Sequence, residues 1–142
     1  MRIRVTTCFW GTAWKDYGRQ AVATFRRHWP REVELVVFSD ADIKLCRGEL
    51  RMLADIKPLT AFRRRNRSRP AANGIVVDGG YSWRHDAMKW VPQAMVPAAA
   101  RDGLADGDIL MWLDGDVITV TRVTRRRIER LFEGGNISIM RG

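Results

Sequence analysis

IRVTTCFWGTAWKDYGRQAVATFRRHWPREVELVVFSD, residues 3–40, is the stretch on which the reading of the fold turns. Ile3 to Phe9 is rich in β-branched and aromatic residues, the composition of a strand. Behind it, Asp16 stands where a helix could be capped. Tyr17, Ala21, Phe25 and Trp29 then recur every four residues, which lays an apolar stripe along one helix face. Pro30 stops that helix. Val33 to Ser39 is nearly continuous in apolar residues, as expected of a strand buried between helices, and it runs into Asp40. Strand, helix and strand in about 38 residues make a βαβ unit of a parallel sheet.

Downstream, a short helix is expected around Glu49 to Asp55, limited by Pro58. Arg63 to Arg69 (RRRNRSR) reads as an exposed basic loop. Asn73 to Gly80 contains a short apolar run that breaks at Asp78-Gly79-Gly80. Ser82 is placed to cap a helix whose face carries Trp83, Ala87, Trp90 or Val91, and Ala94, with Pro92 kinking or splitting it. Ile109 to Leu113 is a buried strand ending in Asp114-Gly115-Asp116, and Val117 to Val120 continues extended. Thr124 is placed to cap a helix with Ile128, Leu131 and Phe132 inward, ended by Gly134 and Gly135. Ile137 to Met140 looks like the start of another strand. The whole is one α/β domain over residues 1–142, Rossmann-like, with a central mostly parallel sheet flanked by helices.

A chain of 142 residues is long enough to bury one sizeable core. No apolar run reaches the roughly 18 residues that span a bilayer. The N-terminus has no secretory signal pattern. Cys8 and Cys46 lack ligand-type spacing and read as reduced thiols of a cytoplasmic protein. The net charge of +9, from 25 basic and 16 acidic residues, favours anionic partners, although a GC-rich coding sequence accounts for so many arginines equally well. The six tryptophans are spread along the chain, with core packing as their default role.

The sharpest chemical signal is ILMWLDGD, residues 109–116, in which an apolar strand delivers two carboxylates separated by one glycine. In extended chain, residues i and i+2 face the same side, so Asp114 and Asp116 would share one site. Two adjacent carboxylates repel unless a cation or proton lies between them, and hard oxygen ligands suit Mg²⁺ or Mn²⁺. A turn that merely ends the strand is the competing account, since Asp and Gly favour turns.

With WLDGDV in this position, the sequence resembles the glycosyltransferases of the GT-A fold, whose signature is an apolar strand ending in Asp-x-Asp. The stretch from Thr6 to Asp40 is similar to that family's first strand, helix and second strand. YSWRHDAMKWVPQAM resembles an aromatic–Arg–x–Asp–Ala helix ahead of the Asp-x-Asp strand in some bacterial and phage members. The resemblance covers most of residues 1–120. It implies transfer of a sugar from a nucleotide-diphosphate sugar to an acceptor that the sequence does not identify. Asp114 and Asp116 would hold Mn²⁺ or Mg²⁺, with Asp114 also facing the donor. Thr7 and Phe9 would line the nucleotide pocket, Asp40 would hydrogen-bond base or ribose, and Arg84 and Asp86 would approach the diphosphate and sugar. Beside these roles stand structural ones: Phe9 as a core aromatic, Asp40 capping a turn, Arg84 and Asp86 pairing on a helix surface or capping its first turn. The family continues beyond Asp-x-Asp into an acceptor pocket with a further metal ligand and a catalytic base. Here 26 residues follow Asp116, and both histidines, His28 and His85, precede it. The chain therefore reads as the donor-binding front part, possessing no assigned catalytic residue.

Two other readings compete. LDGDVIT matches the nucleophile motif of haloacid-dehalogenase-like phosphatases, in which the first Asp attacks phosphate. That chemistry needs a later lysine and acidic pair, and no lysine or aspartate follows Asp116. An arginine-rich nucleic-acid binder would use RRRNRSR and Arg125-Arg126-Arg127, with steep salt dependence as its mark. No recognised nucleic-acid motif accompanies the charge.

Overall fold

The structure, a computed structural model, describes residues 1–67 and 83–133, with the side chains of 83–89 outside the description. Four strands form one sheet: β1 (Ile3–Phe9), β2 (Glu34–Ser39), β3 (Glu49–Met52) and β4 (Ile109–Trp112). Their order is β3-β2-β1-β4 and every pairing is parallel. Helix α1 (Arg19–His28) follows β1 after a π-helical turn at Trp14–Gly18, so the strand–helix–strand opening forms, but Asp16 lies inside that turn rather than capping a helix, and Tyr17 is exposed while Ala21, Phe25 and Trp29 face inward. A 3₁₀ turn at Leu53–Asp55 follows β3, the part of the expected helix at 49–55 that forms, and the remaining helices are α2 (Lys57–Asn66), α3 (Trp83–Ala100) and α4 (Arg125–Leu131).

The two-residue period of the strands sorts the core into two layers. Leu35 and Val37 of β2, with Ile3, Val5 and Phe9 of β1, pack against Val22 and Phe25 of α1 and Ile128 of α4. Val36 and Phe38 turn to the other side, where Leu59 of α2 and Val96 and Ala100 of α3 cover them. All seven residues of β1 are buried, as befits a strand with neighbours on both edges and helices on both faces. Arg4 is the charged member of that strand. It pairs with Glu34 at 2.8 Å and gives Nη1 to the carbonyls of Ala100 and Asp102, both at 2.7 Å. The last turn of α3 is thereby capped by a guanidinium from the central strand.

Several local expectations give way to tertiary pairing. Glu49–Met52 is a strand rather than a helix, because its backbone pairs with β2 from Val36↔Glu49 to Ser39↔Met52. Pro58 opens α2 rather than limiting the preceding element, since a first-turn proline lacks only an N–H that would be unpaired anyway. Arg63 to Asn66 accordingly lie in the last turn of α2, not in a loop, Arg67 follows in a turn, and Ser68 and Arg69 lie outside the described residues. Helix α3 runs unbroken through Pro92 and Pro97. Its buried stripe is Pro92, Val96 and Ala100, at spacing four, whereas Ala94 and Trp90 are exposed. Packing of the Pro92 ring into the core offsets its lost hydrogen bond. Thr124 caps α4 as expected, accepting from the Arg127 N–H at 3.3 Å. Val117 to Val120 belongs to no strand of the described sheet. Ser82, the 73–80 stretch, Gly134, Gly135 and the expected strand at Ile137 to Met140 lie outside the described residues.

Asp108 secures the entrance to β4. It accepts from the backbone N–H groups of Arg2 (2.6 Å) and Ala105 (3.0 Å) and from Arg2 Nε (3.1 Å). These donors, the Arg2 N–H foremost, hold its carboxyl down at about 2. A folded-state value below the unfolded one, about 3.9, means that the ionised form supports folding. That contribution is complete above pH ~4 and is lost as the pH falls toward ~2. Melting temperatures followed from pH 5 to 2 are therefore expected to fall less steeply in Asp108→Asn than in the parent. Parallel curves would remove Asp108 from the acid response.

Candidate functional site

Strand order alone singles out one place on this sheet. From β1 the chain steps to β2 and then β3 in one direction, and β4 returns to lie on the opposite side of β1. The crevice beyond the carboxyl ends of β1 and β4 is therefore the topological switch point, where open parallel sheets leave room for a ligand. Leu113 still donates to Thr6 O at 3.0 Å, after which Val117 N closes back on Asp114 O at 3.1 Å. Asp114-Gly115-Asp116 is therefore a tight turn, and the two carboxylates are not related by a strand's two-residue period. The turn nevertheless brings both into one cavity of about 190 Å³, shared with Cys8, Tyr17, Trp90 and Trp112. Gly115 sits so close to β1 that a Cβ there would lie 3.0 Å from both Cys8 O and the Phe9 ring. A side chain at this position would require the turn or the Phe9 ring to shift by a few tenths of an ångström.

Asp114 and Asp116 are both exposed but differently held. Trp112 Nε1 donates to Asp114 Oδ1 at 2.6 Å, fixing that carboxylate, while Asp116 makes no hydrogen bond or ion pair among the described residues. The charge of Asp116 reaches Tyr17, whose phenol is pushed above its ordinary range first by burial and then by Asp116. Cys8, beneath the turn, is pushed up to about 12, chiefly by burial; Arg63 opposes the rise and Asp114 adds to it. Arg63 thus lies within electrostatic reach of the same spot. Cys8 is buried and Cys46 exposed, and neither is in a disulfide. Titration of the native chain with a thiol reagent at pH 8 is expected to label Cys46 rapidly and Cys8 only on unfolding. Two fast equivalents would contradict this burial of Cys8.

A second, larger cavity of about 560 Å³ opens on the same edge between β1 and β2. Phe9 and Trp14 supply aromatic walls, while Lys15, Arg19 and Lys44 bring positive charge to a rim that also holds Asp40. Gly11, at φ +59°, turns its N–H onto Asp40 Oδ2 at 2.8 Å, tying the loop after β1 to the end of β2. Phe9 separates the two cavities. It is 1% exposed, meets Trp14 edge-on at 5.4 Å and Tyr17 at 6.5 Å, and has Gly18 and Gly115 against its ring.

The expected site residues therefore fall into three groups. Asp114, Asp116, Asp40 and Phe9 converge on the carboxyl edge of the sheet. Thr7 lies beneath that edge, 4% exposed, with a buried hydroxyl that has no partner among the described residues. Arg84 and Asp86 are on the first turns of α3, with side chains outside the described residues. Sequence reasoning missed the aromatic surround. Trp10, Trp90 and Trp112 line the carboxylate cavity and Trp14 the larger one, so only Trp29 among the described tryptophans is a buried core residue. For Trp10 and Trp112, placement at the carboxyl ends of β1 and β4 is the available signal; Trp90, in the middle of α3, offers none.

Among the described residues no group of three or more His, Cys, Asp or Glu is gathered to hold a metal. Two exposed carboxylates beside a cationic, aromatic cavity do fit Mg²⁺ or Mn²⁺, which commonly takes one or two carboxylates and completes its shell with substrate phosphates and water. Comparison with protein-family models, with curated proteins and with solved structures finds no match.

Proposed function

We propose that this chain is the donor-binding domain of a GT-A-type glycosyltransferase, taking a nucleotide-diphosphate sugar with Mn²⁺ or Mg²⁺. The observation that carries the reading is the Asp114-Gly115-Asp116 turn at the switch point, alongside a cavity with aromatic walls and a cationic rim. Asp114 and Asp116 would hold the metal against the diphosphate. The larger cavity would take the nucleoside, with Trp14 and the edge of Phe9 beside the base and Asp40 near base or ribose. Lys15, Arg19 and Lys44 would meet the phosphates, and Arg84 and Asp86 would approach from α3. Thr7 would support the pocket floor. The metal, when bound, supplies Lewis-acid neutralisation of charge developing on the leaving diphosphate. Nothing in the described residues is assigned as a catalytic base, so the acceptor side is left to other groups. We place the domain in the cytoplasm on its unpaired thiols. None of the described helices is long and apolar enough to cross a membrane.

Calorimetric titration of UDP and GDP into the purified chain, with and without Mn²⁺, tests this reading. Binding that requires the metal is the expected result. Absence of binding to either nucleotide in the presence of Mn²⁺ would defeat it.

A further inference from the structure

The opposite edge of the sheet carries a separate concentration of charge. The end of α1 and the loop to β2 (residues 26–32) and the lead into α4 (122–125) flank an open cavity of about 810 Å³. Arg26, which also reaches the larger cavity at the other edge, lines it with Arg27, Arg31, Arg122 and Arg125, and Glu32 is the single carboxylate of its walls among the described residues. Two of the five are already anchored. Arg26 Nη2 donates to Arg47 O at 2.7 Å, and Arg125 pairs with Glu129 at 2.7 Å and donates to Met1 O at 2.8 Å. Arg27, Arg31 and Arg122 are exposed, and their side chains make neither an ion pair nor a hydrogen bond among the described residues. The walls are held in register by the Val123 N–H on His28 O at 2.9 Å, and the floor includes buried Trp29.

Scattered surface arginines are ordinary and solvated. Here two segments ninety residues apart in the chain bring theirs into one concavity with an apolar floor, which focuses the field and raises local anion concentration. Guanidinium groups bind phosphate through paired, charge-assisted hydrogen bonds. The volume suits a small multivalent anion rather than a single oxyanion.

We propose that this arginine-lined cavity is a second ligand site, taking a group with two or three closely spaced phosphates, distinct from the carboxylate pair on the far edge. The group could be a soluble oligophosphate or a phosphorylated lipid headgroup. The inference stands independently of the proposed transferase function.

Inorganic tripolyphosphate titrated into the full chain is the test. Affinity is expected to fall at least about 10-fold in the triple variant Arg27→Ser/Arg31→Ser/Arg122→Ser, with circular dichroism unchanged. An Arg64→Ser/Arg65→Ser variant, which removes two exposed arginines of α2 that line neither this cavity nor the donor cavity, is expected to bind like the parent. No loss in the triple variant, or equal loss in both, would overturn the assignment. Phosphatidylcholine vesicles containing phosphatidylinositol bisphosphate separate the two sources: retention that tripolyphosphate competes away supports a headgroup, and no retention supports a soluble anion. An oligoribonucleotide that displaces tripolyphosphate from these arginines with roughly 100-fold higher affinity, or about 2.7 kcal/mol, would overturn the small-anion site in favour of a nucleic-acid surface.

Discussion

Replacing Asp116 with alanine is expected to abolish metal-dependent nucleotide binding while leaving the melting temperature essentially unchanged. The two halves of that outcome have separate causes. Asp116 is exposed and makes no contact that the described fold depends on, so its removal should change stability by no more than about 0.5 kcal/mol. Relief of repulsion from Asp114 acts in the same favourable direction at low salt. Binding is another matter, because a metal held by two carboxylates loses half its protein ligands. Residues that merely orient metal ligands cost 10–100-fold when removed, so loss of a ligand itself should cost at least about 100-fold. Calorimetry with UDP or GDP and Mn²⁺ measures the first half, and differential scanning calorimetry the second. If the variant bound nucleotide and Mn²⁺ as the parent does, Asp116 would be no ligand and the turn no metal site. Asp114 gives a less clean experiment, since Asp114→Ala also strips Trp112 Nε1 of its 2.6 Å acceptor.

Phe9→Ala should give the largest loss of stability of any change near the site. The ring is 1% exposed and is surrounded by Trp14, Tyr17, Gly18 and Gly115. Emptying such a position typically costs about 3–5 kcal/mol. Collapse cannot recover much of it, because two of the neighbours are glycines with no side chain to move inward. Urea denaturation should show the midpoint falling sharply, whereas Phe9→Leu should lose about 1–1.5 kcal/mol and stay folded. That milder variant also separates packing from recognition. With Phe9 buried and Trp14 half-buried on the wall of the larger cavity, Trp14→Ala is expected to lower nucleotide affinity more than Phe9→Leu does. The reverse order would make the Phe9 ring a direct stacking partner of the base.

How far the sequence carries depends on where each element draws its stability. β1, α1, β2, β4 and the Thr124 cap were legible because their signals are local: β-branched runs, a four-residue stripe, a hydroxyl before a helix. ELRM at 49–52 has no strand composition and becomes a strand only because β2 offers an edge. The face of α3 was misread because Trp90 was counted as core and Pro92 as a breaker, whereas Pro92 is buried and Trp90 is 39% exposed beside the carboxylates. The Asp-Gly-Asp pair was found for an incomplete reason. Strand alternation was expected to align the two acids, but a turn closed by Val117 N on Asp114 O does so. The tryptophan surround and the arginine cavity depend on residues far apart in sequence, so no window along the chain contains either.

The position of β1 between β2 and β4 has a consequence for the chain during its synthesis. One flank of β1 is covered early by β2, in register from Arg4↔Glu34 to Phe9↔Ser39. The other waits for β4, and the bond from Arg2 to Asp108 spans 106 residues. At ribosomal rates of about 5–20 residues per second, the interval between β2 and β4 lasts roughly several seconds. Throughout it, a strand whose seven residues are all buried in the finished fold presents an open edge to whatever is nearby. Nascent chains on neighbouring ribosomes carry the same strand, so during that interval this edge is open to self-association and chaperone capture.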